Sequence, residues 1–147
     1  MADASFQQEF LKAHNAYRAK HNTLPMSLSS ELTTSAQKWA DHLLEIRELT
    51  HSGTGESCYY ACSSGPMKLT GKEAVDDWYN EIKDYNWSSP GYSGNTGHFT
   101  QVLWKGSTEL GVGMATDGHN VYVVGQYRPA GNTRGSENFA ENVLPLA

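Results

Sequence analysis

The sequence predicts an α+β fold in a single domain spanning residues 1–147. Three stretches in the first 85 residues place apolar side chains at helical spacing. Two extended apolar stretches follow, joined by a short turn that favours antiparallel pairing. Because the helices precede the strands and each has one apolar face, we expect helices on both faces of a small, mainly antiparallel sheet. A chain of 147 residues is long enough to bury one core.

The first two helices are indicated by caps and apolar stripes. Ser5 and Gln8 form a capping-box pattern, and the apolar positions that follow predict a helix over residues 5–20. Ser30 is a plausible cap for a second helix, which should run to about Glu48.

The remaining elements are assigned from periodicity and turn residues. A third amphipathic helix is predicted over residues 70–85. Strands over 110–116 and 120–128 are joined by Asp117-Gly118, a favoured hairpin turn. Residues 50–69 are rich in Gly, Ser and Thr and predict a loop with one short extended piece. The tail after the second strand is expected to be irregular.

Composition narrows the classes of partner. Sixteen acidic and eleven basic residues give a net charge of −5 with no basic cluster, which argues against nucleic acid as a partner. No apolar run approaches the length of a membrane span. The opening "MADASFQQEF" lacks the pattern of a signal peptide, and Ala2 replaces the glycine needed for myristoylation. We therefore expect an intracellular protein, or the mature form of a secreted one.

Two cysteines, Cys58 and Cys62, lie four positions apart. The pair could form a local disulfide, remain as free thiols, or supply half of a metal site. Small secreted proteins usually carry more than one bridge, so free thiols in a reducing compartment are the favoured interpretation.

The chain contains six histidines, which differ in their predicted positions. His14 lies on the apolar stripe of the first helix, which is typical of a buried, hydrogen-bonded ring. Three others are predicted to lie at the surface or in turns: His21, His42 and His119. His51 and His98 each stand where a predicted element or loop ends, and such positions often hold functional side chains.

Two carboxylates accompany these histidines. Glu81 lies at the edge of the buried stripe of the third helix, where a carboxylate needs a partner or a water-filled cavity. Glu56 lies in a glycine-flanked loop. Taken alone, Glu81 is more simply explained as part of a salt bridge at the edge of the core, and Glu56 as an ordinary loop residue. The spacing matches no known zinc signature, so the residues alone leave the question of a metal site open.

Several segments together resemble a known family. They are "AHNAYR", "THSGTGE", "AVDDWYNEIKDY", "GHFTQVLWKGS" over 97–107 and "YVVGQYRPAGN" over 122–132. In this order they resemble the CAP superfamily of cysteine-rich secretory, antigen 5 and pathogenesis-related proteins, and the ending "FAENVLPLA" is similar to an intracellular, Golgi-associated branch. Two positions depart from the secreted members: Gly125 replaces a bridging cysteine, and Ser57 replaces an asparagine.

The resemblance implies a three-layer α-β-α sandwich with a cleft lined by His51, Glu56, Glu81 and His98. It implies that His51 and His98 can bind a divalent metal such as zinc, with Glu56 and Glu81 as cleft carboxylates. It also implies membrane lipids or sterol as partners, a homodimer, and a location in the cytoplasm or on the cytosolic face of the Golgi. Because Ala2 removes the acyl signal, membrane binding would need another surface.

Two functional hypotheses follow from the resemblance and the residues. The first is a non-enzymatic intracellular protein that binds lipid, membrane or protein partners and has a metal-capable cleft. The alternative is a metal- or histidine-assisted hydrolase, in which Glu56 or Glu81 would be the general base beside a zinc-bound water. A secreted CAP protein with a Cys58–Cys62 bridge is a further alternative.

Overall fold

A four-stranded sheet forms the middle layer of the described part of the chain. The structure is a computed structural model that describes residues 3–50, 55–62, 70–93, 95–132 and 135–146. The strands are β1 (Ser27–Leu28), β2 (Glu56–Cys62), β3 (Glu109–Thr116) and β4 (Asn120–Arg128), in the spatial order β1-β3-β4-β2. Strand β1 is parallel to β3, whereas β2 and β3 both pair antiparallel with β4. The predicted α+β class with a mainly antiparallel sheet is confirmed.

One face of the sheet is covered by α2 (Ser30–Ile46). The apolar positions of this helix pack against alternate residues of the strands. This cluster comprises Ala36, Ala40, Leu43, Cys58, Ala115, Tyr122 and Val124. Because Gly111 and Gly113 carry no side chains, the backbone of β3 lies directly against α2.

The opposite face is covered by a second helical layer. It contains α1 (Ala4–Lys20), α3 (Gly71–Tyr79), a short 3-10 helix (Asn80–Asp84), α4 (Gly97–Leu103) and α5 (Ser136–Asn142). Fully or almost fully buried aromatic side chains fill the space between this layer and the sheet: Phe10, Trp78, Phe99 and Phe139. The result is the predicted three-layer α-β-α arrangement.

The residues that cap α1 and α2 differ from the predicted ones. The carboxylate of Asp3 accepts a hydrogen bond of 2.8 Å from the Phe6 amide, so Asp3 caps α1 in place of Ser5. A carboxylate also interacts favourably with the positive end of the helix dipole. Likewise Ser29 caps α2 through the Leu32 amide at 3.3 Å, one residue before the predicted Ser30.

Other differences concern short elements. The predicted helix over 70–85 is α only to Tyr79 and then tightens into the 3-10 helix. The tail that was predicted to be irregular contains α5, and neither β1 nor α4 was predicted. Among the described residues, no helix is both long and apolar enough to cross a bilayer.

His21 lies in the turn that ends α1, as predicted, but its side chain is buried and not at the surface. Its Nδ1–H donates to the Leu144 carbonyl at 2.7 Å, and its Nε2 accepts from the Tyr79 hydroxyl at 2.8 Å. Burial lowers the pKa of His21. The carbonyl and the hydroxyl come from distant parts of the chain and provide the partners that a buried imidazole needs.

Candidate functional site

The structure brings Glu81 and His98 into direct contact. One carboxylate oxygen of Glu81 lies 2.9 Å from His98 Nδ1, and the other accepts the Phe99 amide at 2.9 Å. Because a carboxylate only accepts hydrogen bonds, Nδ1 is the donor. The side chains of His98 and Glu81 are 31% and 21% exposed, so the pair lies at the boundary between core and solvent. The predicted need of Glu81 for a partner is confirmed.

Local structure explains why these two residues meet. Glu81 lies on the 3-10 helix that extends α3, and His98 is the second residue of α4. The ring of His98 stacks on the buried Trp78 with centroids 5.8 Å apart. The residues after His98 are buried as predicted and fix α4 against the core: Phe99, Val102, Leu103 and Trp104.

Glu56 has a different set of described contacts. It pairs in register with Gln126, whose amide donates to the Glu56 carboxylate at 2.8 Å, and the Cys58 thiol lies 3.7 Å from the other oxygen. Cys58 packs against α2, and alternate residues of a strand share a face. These contacts place Glu56 on the α2 side of the sheet, whereas Glu81 and His98 belong to the opposite helical layer. Its role as a cleft carboxylate stays a prediction.

His51 lies outside the described residues, so the predicted pairing of His51 with His98 on a metal stays a prediction. Thr50, the residue before it, is held by two donors. Its carbonyl accepts from Trp39 Nε1 at 2.8 Å and from the Cys58 thiol at 3.7 Å. Within the described ranges, no group of three or more His, Cys, Asp or Glu side chains is arranged to hold a metal ion.

Of the two cysteines, Cys58 has a described side chain, which is buried. Burial, and then the Glu56 carboxylate, raise the pKa of the Cys58 thiol, which makes this thiol a poor nucleophile. The side chain of Cys62 lies outside the described residues. The alternatives for the pair therefore stay as the sequence left them.

Ser57, which stands where the secreted members have an asparagine, packs between the sheet and α1. Ser57 is buried on the face opposite Glu56, where its side chain interacts with the Tyr127 phenol. The Tyr127 hydroxyl donates in turn to His14 Nε2 at 2.7 Å. The other departure, Gly125, lies under Phe10, since an added Cβ would be 3.0 Å from Phe10 Cζ. Both departures are therefore accommodated by packing between the sheet and α1.

Sequence reasoning missed a residue that contacts α4 from outside. Asn132 adopts a left-handed backbone conformation, with φ of 56°. Its side-chain amide donates to the Gly97 carbonyl at 2.9 Å and accepts from the Thr100 hydroxyl at 2.6 Å. The available signal was the pair Gly131-Asn132 at the end of the segment "YVVGQYRPAGN". This pair is typical of turns but says nothing of a distant helix.

The fold and these motifs define a family. The model of the family described as "CAP: Cysteine-rich secretory protein family" matches residues 11–127, which is most of the chain. The protein therefore belongs to the CAP family.

Similar proteins narrow the type within the family. Human Golgi-associated plant pathogenesis-related protein 1 is 43% identical over 148 residues, which cover 98% of this chain and 96% of that protein. Protein PRY2 of Saccharomyces cerevisiae is 41% identical over 145 residues, which cover 97% of this chain and 42% of the yeast protein. The chain is thus a CAP-domain protein of the Golgi-associated pathogenesis-related type.

Solved structures agree on the fold. The structure of BmVAL-1 superimposes with a TM-score of 0.80 at 22% identity, covering 99% of this chain and 84% of that one. The crystal structure of NaASP2 with Zn²⁺ gives a TM-score of 0.77 at 22% identity, covering 99% and 88%. At this level of identity the comparison establishes the CAP fold alone.

Proposed function

We propose that the protein is a non-enzymatic intracellular binding protein whose His51 and His98 hold a divalent metal, with zinc as the favoured ion. The Glu81–His98 contact is the observation that supports this most directly. Because Nδ1 carries the N–H that donates to Glu81, the lone pair of this ring in its neutral form is on Nε2. A neutral imidazole oriented by a carboxylate is the form in which histidine usually coordinates zinc.

The described half of the site fits this metal. His98 would supply one ligand, His51 a second, and Glu81 would orient the His98 ring from behind. Zinc usually takes four ligands, so two histidines leave positions for water, a ligand or a side chain of another molecule. A bound ion would supply a Lewis acid that joins the segment at residue 51 to α4. An incomplete ligand set suits reversible binding and zinc-dependent homodimerisation.

The contacts of the carboxylates favour binding over hydrolysis. A general base must lie within hydrogen-bond reach of the proton that it removes. Both oxygens of Glu81 already accept hydrogen bonds, from the His98 Nδ1–H and from the Phe99 amide. The Glu56 carboxylate accepts from Gln126 on the other side of the sheet. Glu81 in this position supports the first turn of α4, and Glu56 joins β2 to Gln126 of β4.

The partners and the location are proposed from the relatives. The human relative is named for its association with the Golgi, and we extend this to the chain as binding to lipids, a sterol or proteins at the cytosolic face of that membrane. NaASP2, which has the same fold, was solved with Zn²⁺. We take this ion as the one to test first at the proposed site.

Zinc titration by calorimetry tests the proposal. At about pH 7.5, where histidine is largely neutral, the wild type should bind zinc saturably, and the double variant H51A/H98A should not. His42 is exposed on α2, so H42A is the matched control and should bind as the wild type does. Binding should weaken as the pH is lowered, because protons compete with the metal for the imidazole nitrogens. A folded wild type that binds no zinc would overturn the metal part of the proposal.

A further inference from the structure

The first turn of α4 depends on groups from elsewhere in the chain. The side chain of Thr96, which precedes the helix, makes no capping hydrogen bond. The Phe99 amide is one of the N–H groups that a helix cannot satisfy internally, and it donates to Glu81. Glu81 therefore caps α4 from the 3-10 helix and at the same time accepts a hydrogen bond from the His98 Nδ1–H.

Asn132 binds the same turn from the segment that follows β4. Its side chain contacts Gly97 and Thr100, the residues on either side of the His98–Phe99 pair. The neighbouring Gly131 amide donates to the buried Gln101 side chain at 3.1 Å, which fixes the segment against α4. Thr100 is fully buried, so replacing these hydrogen bonds with water is unfavourable.

The two sets of contacts act on one short helix. Glu81 determines where the donors of His98 and Phe99 point, and Asn132 determines how the turn that carries them is rotated. Trp78 packs on the ring of His98 and limits its tilt. A rotation of the turn would move Nδ1 away from Glu81, since both donors and the Gly97 carbonyl belong to consecutive residues.

We infer that Asn132 is a positioning residue for His98. Its side-chain amide holds the first turn of α4 in the rotation at which Nδ1 meets Glu81 and Nε2 faces away from it. The inference about ring orientation stands on the contacts alone, whereas its consequence for zinc affinity rests on the proposed function.

The variant N132G tests the contribution of the Asn132 side chain separately from that of the backbone. Glycine tolerates the positive φ at this position, so the substitution removes the two side-chain hydrogen bonds without adding backbone strain. Asn22 supplies the matched control, because it also has a positive φ of 55°, is exposed, and has no side-chain hydrogen bond within the described residues. N22G should leave the His98 tautomer and the zinc affinity unchanged.

The first readout is the tautomer of His98, followed by nitrogen NMR of the ring without metal. The wild type and N22G should show the Nδ1–H form, and N132G should show a mixture with the Nε2–H form and faster exchange of the Phe99 amide. The second readout is zinc affinity, which should fall about tenfold in N132G, the scale expected when an outer-shell group is lost.

The outcomes separate the two proposals. A wild type that binds no zinc removes the proposed metal site, while the tautomer measurement still decides the role of Asn132. An N132G protein with the wild-type tautomer and amide exchange overturns the positioning role, and so does an N22G protein that changes as much as N132G. If N132G does not fold, N132D replaces it. N132D keeps an acceptor for Thr100 and loses the donor to Gly97, and an unchanged His98 tautomer in it overturns the inference.

Discussion

His14 joins α1 to β4 through hydrogen bonds at both ring nitrogens. Nδ1 donates to the Phe10 carbonyl at 2.9 Å, and Nε2 accepts from the Tyr127 hydroxyl. Because Nε2 must accept, this network requires the neutral ring. Burial, with a smaller contribution from the charge of Arg18, lowers the pKa of His14 from 6.5 to about 3.

This shift predicts the pH dependence of stability. The pKa of His14 is lower in the folded protein than in the unfolded chain, so between the two values the unfolded chain binds more protons. The stabilisation is complete above about pH 6.5 and is lost progressively as the pH falls toward 3, with a slope of at most about 1.4 kcal/mol per pH unit. H14Q should flatten this profile in denaturant unfolding, and the exposed control H42Q should leave it unchanged. An H14Q profile as steep as that of the wild type would contradict the assignment.

At the residue scale, sequence reasoning was most successful where local position determines the environment. The stripe of the first helix predicted a buried, hydrogen-bonded His14, and the boundary position of Glu81 predicted a partner. The particular partners could not be predicted from the sequence. Tyr127 lies 113 positions from His14, and Glu81 contacts His98 only when α3 and α4 pack together. Asn132 was missed for the same reason.

Strand β3 and helix α2 lie so close together that a side chain at Gly113 would not fit between them. An added Cβ at Gly113 would lie 2.4 Å from Gln37 Cα and Gln37 N, and backbone atoms cannot move aside as a flexible side chain can. The Gln37 side chain reinforces this contact by hydrogen bonding to both the Met114 amide and carbonyl. The glycines of β3 thus determine the spacing between the sheet and one helical layer.

The variant G113A should therefore be strongly destabilised. Overpacking of this kind typically costs 1–3 kcal/mol, and we expect about 3 kcal/mol because the clash is with the backbone. The measurement is the free energy of unfolding in denaturant. Gly91 provides the matched control, since an added Cβ there meets nothing within 4 Å and G91A should change stability little. Equal unfolding midpoints for the two variants would show that α2 can shift without loss of stability, and would contradict the prediction.

At the element scale, the long amphipathic helices and the hairpin could be predicted, but the short elements could not. In α4 the run from Phe99 to Leu103 is entirely buried, so it lacks the polar face that identifies a helix. In α5 the apolar signal is little more than Phe139. Strand β1 has only two residues and is defined by its pairing with β3, which no local pattern reveals.

The charge of the whole molecule constrains how it can meet a membrane. The net charge is −5, and the segment 72–84, comprising most of α3 and the 3-10 helix, contains five acidic and two basic residues. Anionic lipid surfaces repel such a protein unless a basic patch compensates. Large apolar side chains are nevertheless exposed on the described surface, with Leu24 at 76% and Tyr92 at 63%. Binding to a membrane should therefore depend on apolar contact.

This argument gives a prediction for vesicle co-sedimentation. The protein should bind neutral phosphatidylcholine vesicles at least as well as phosphatidylserine vesicles, and raising the salt to about 0.5 M should not weaken binding, because screening relieves repulsion. The charge reversal D77K, at an exposed position of α3, should improve binding to the anionic vesicles and leave the neutral ones unaffected. Strong anionic binding that salt abolishes would show that a basic surface governs the interaction. No binding to either vesicle would remove the lipid part of the proposed function and leave protein partners.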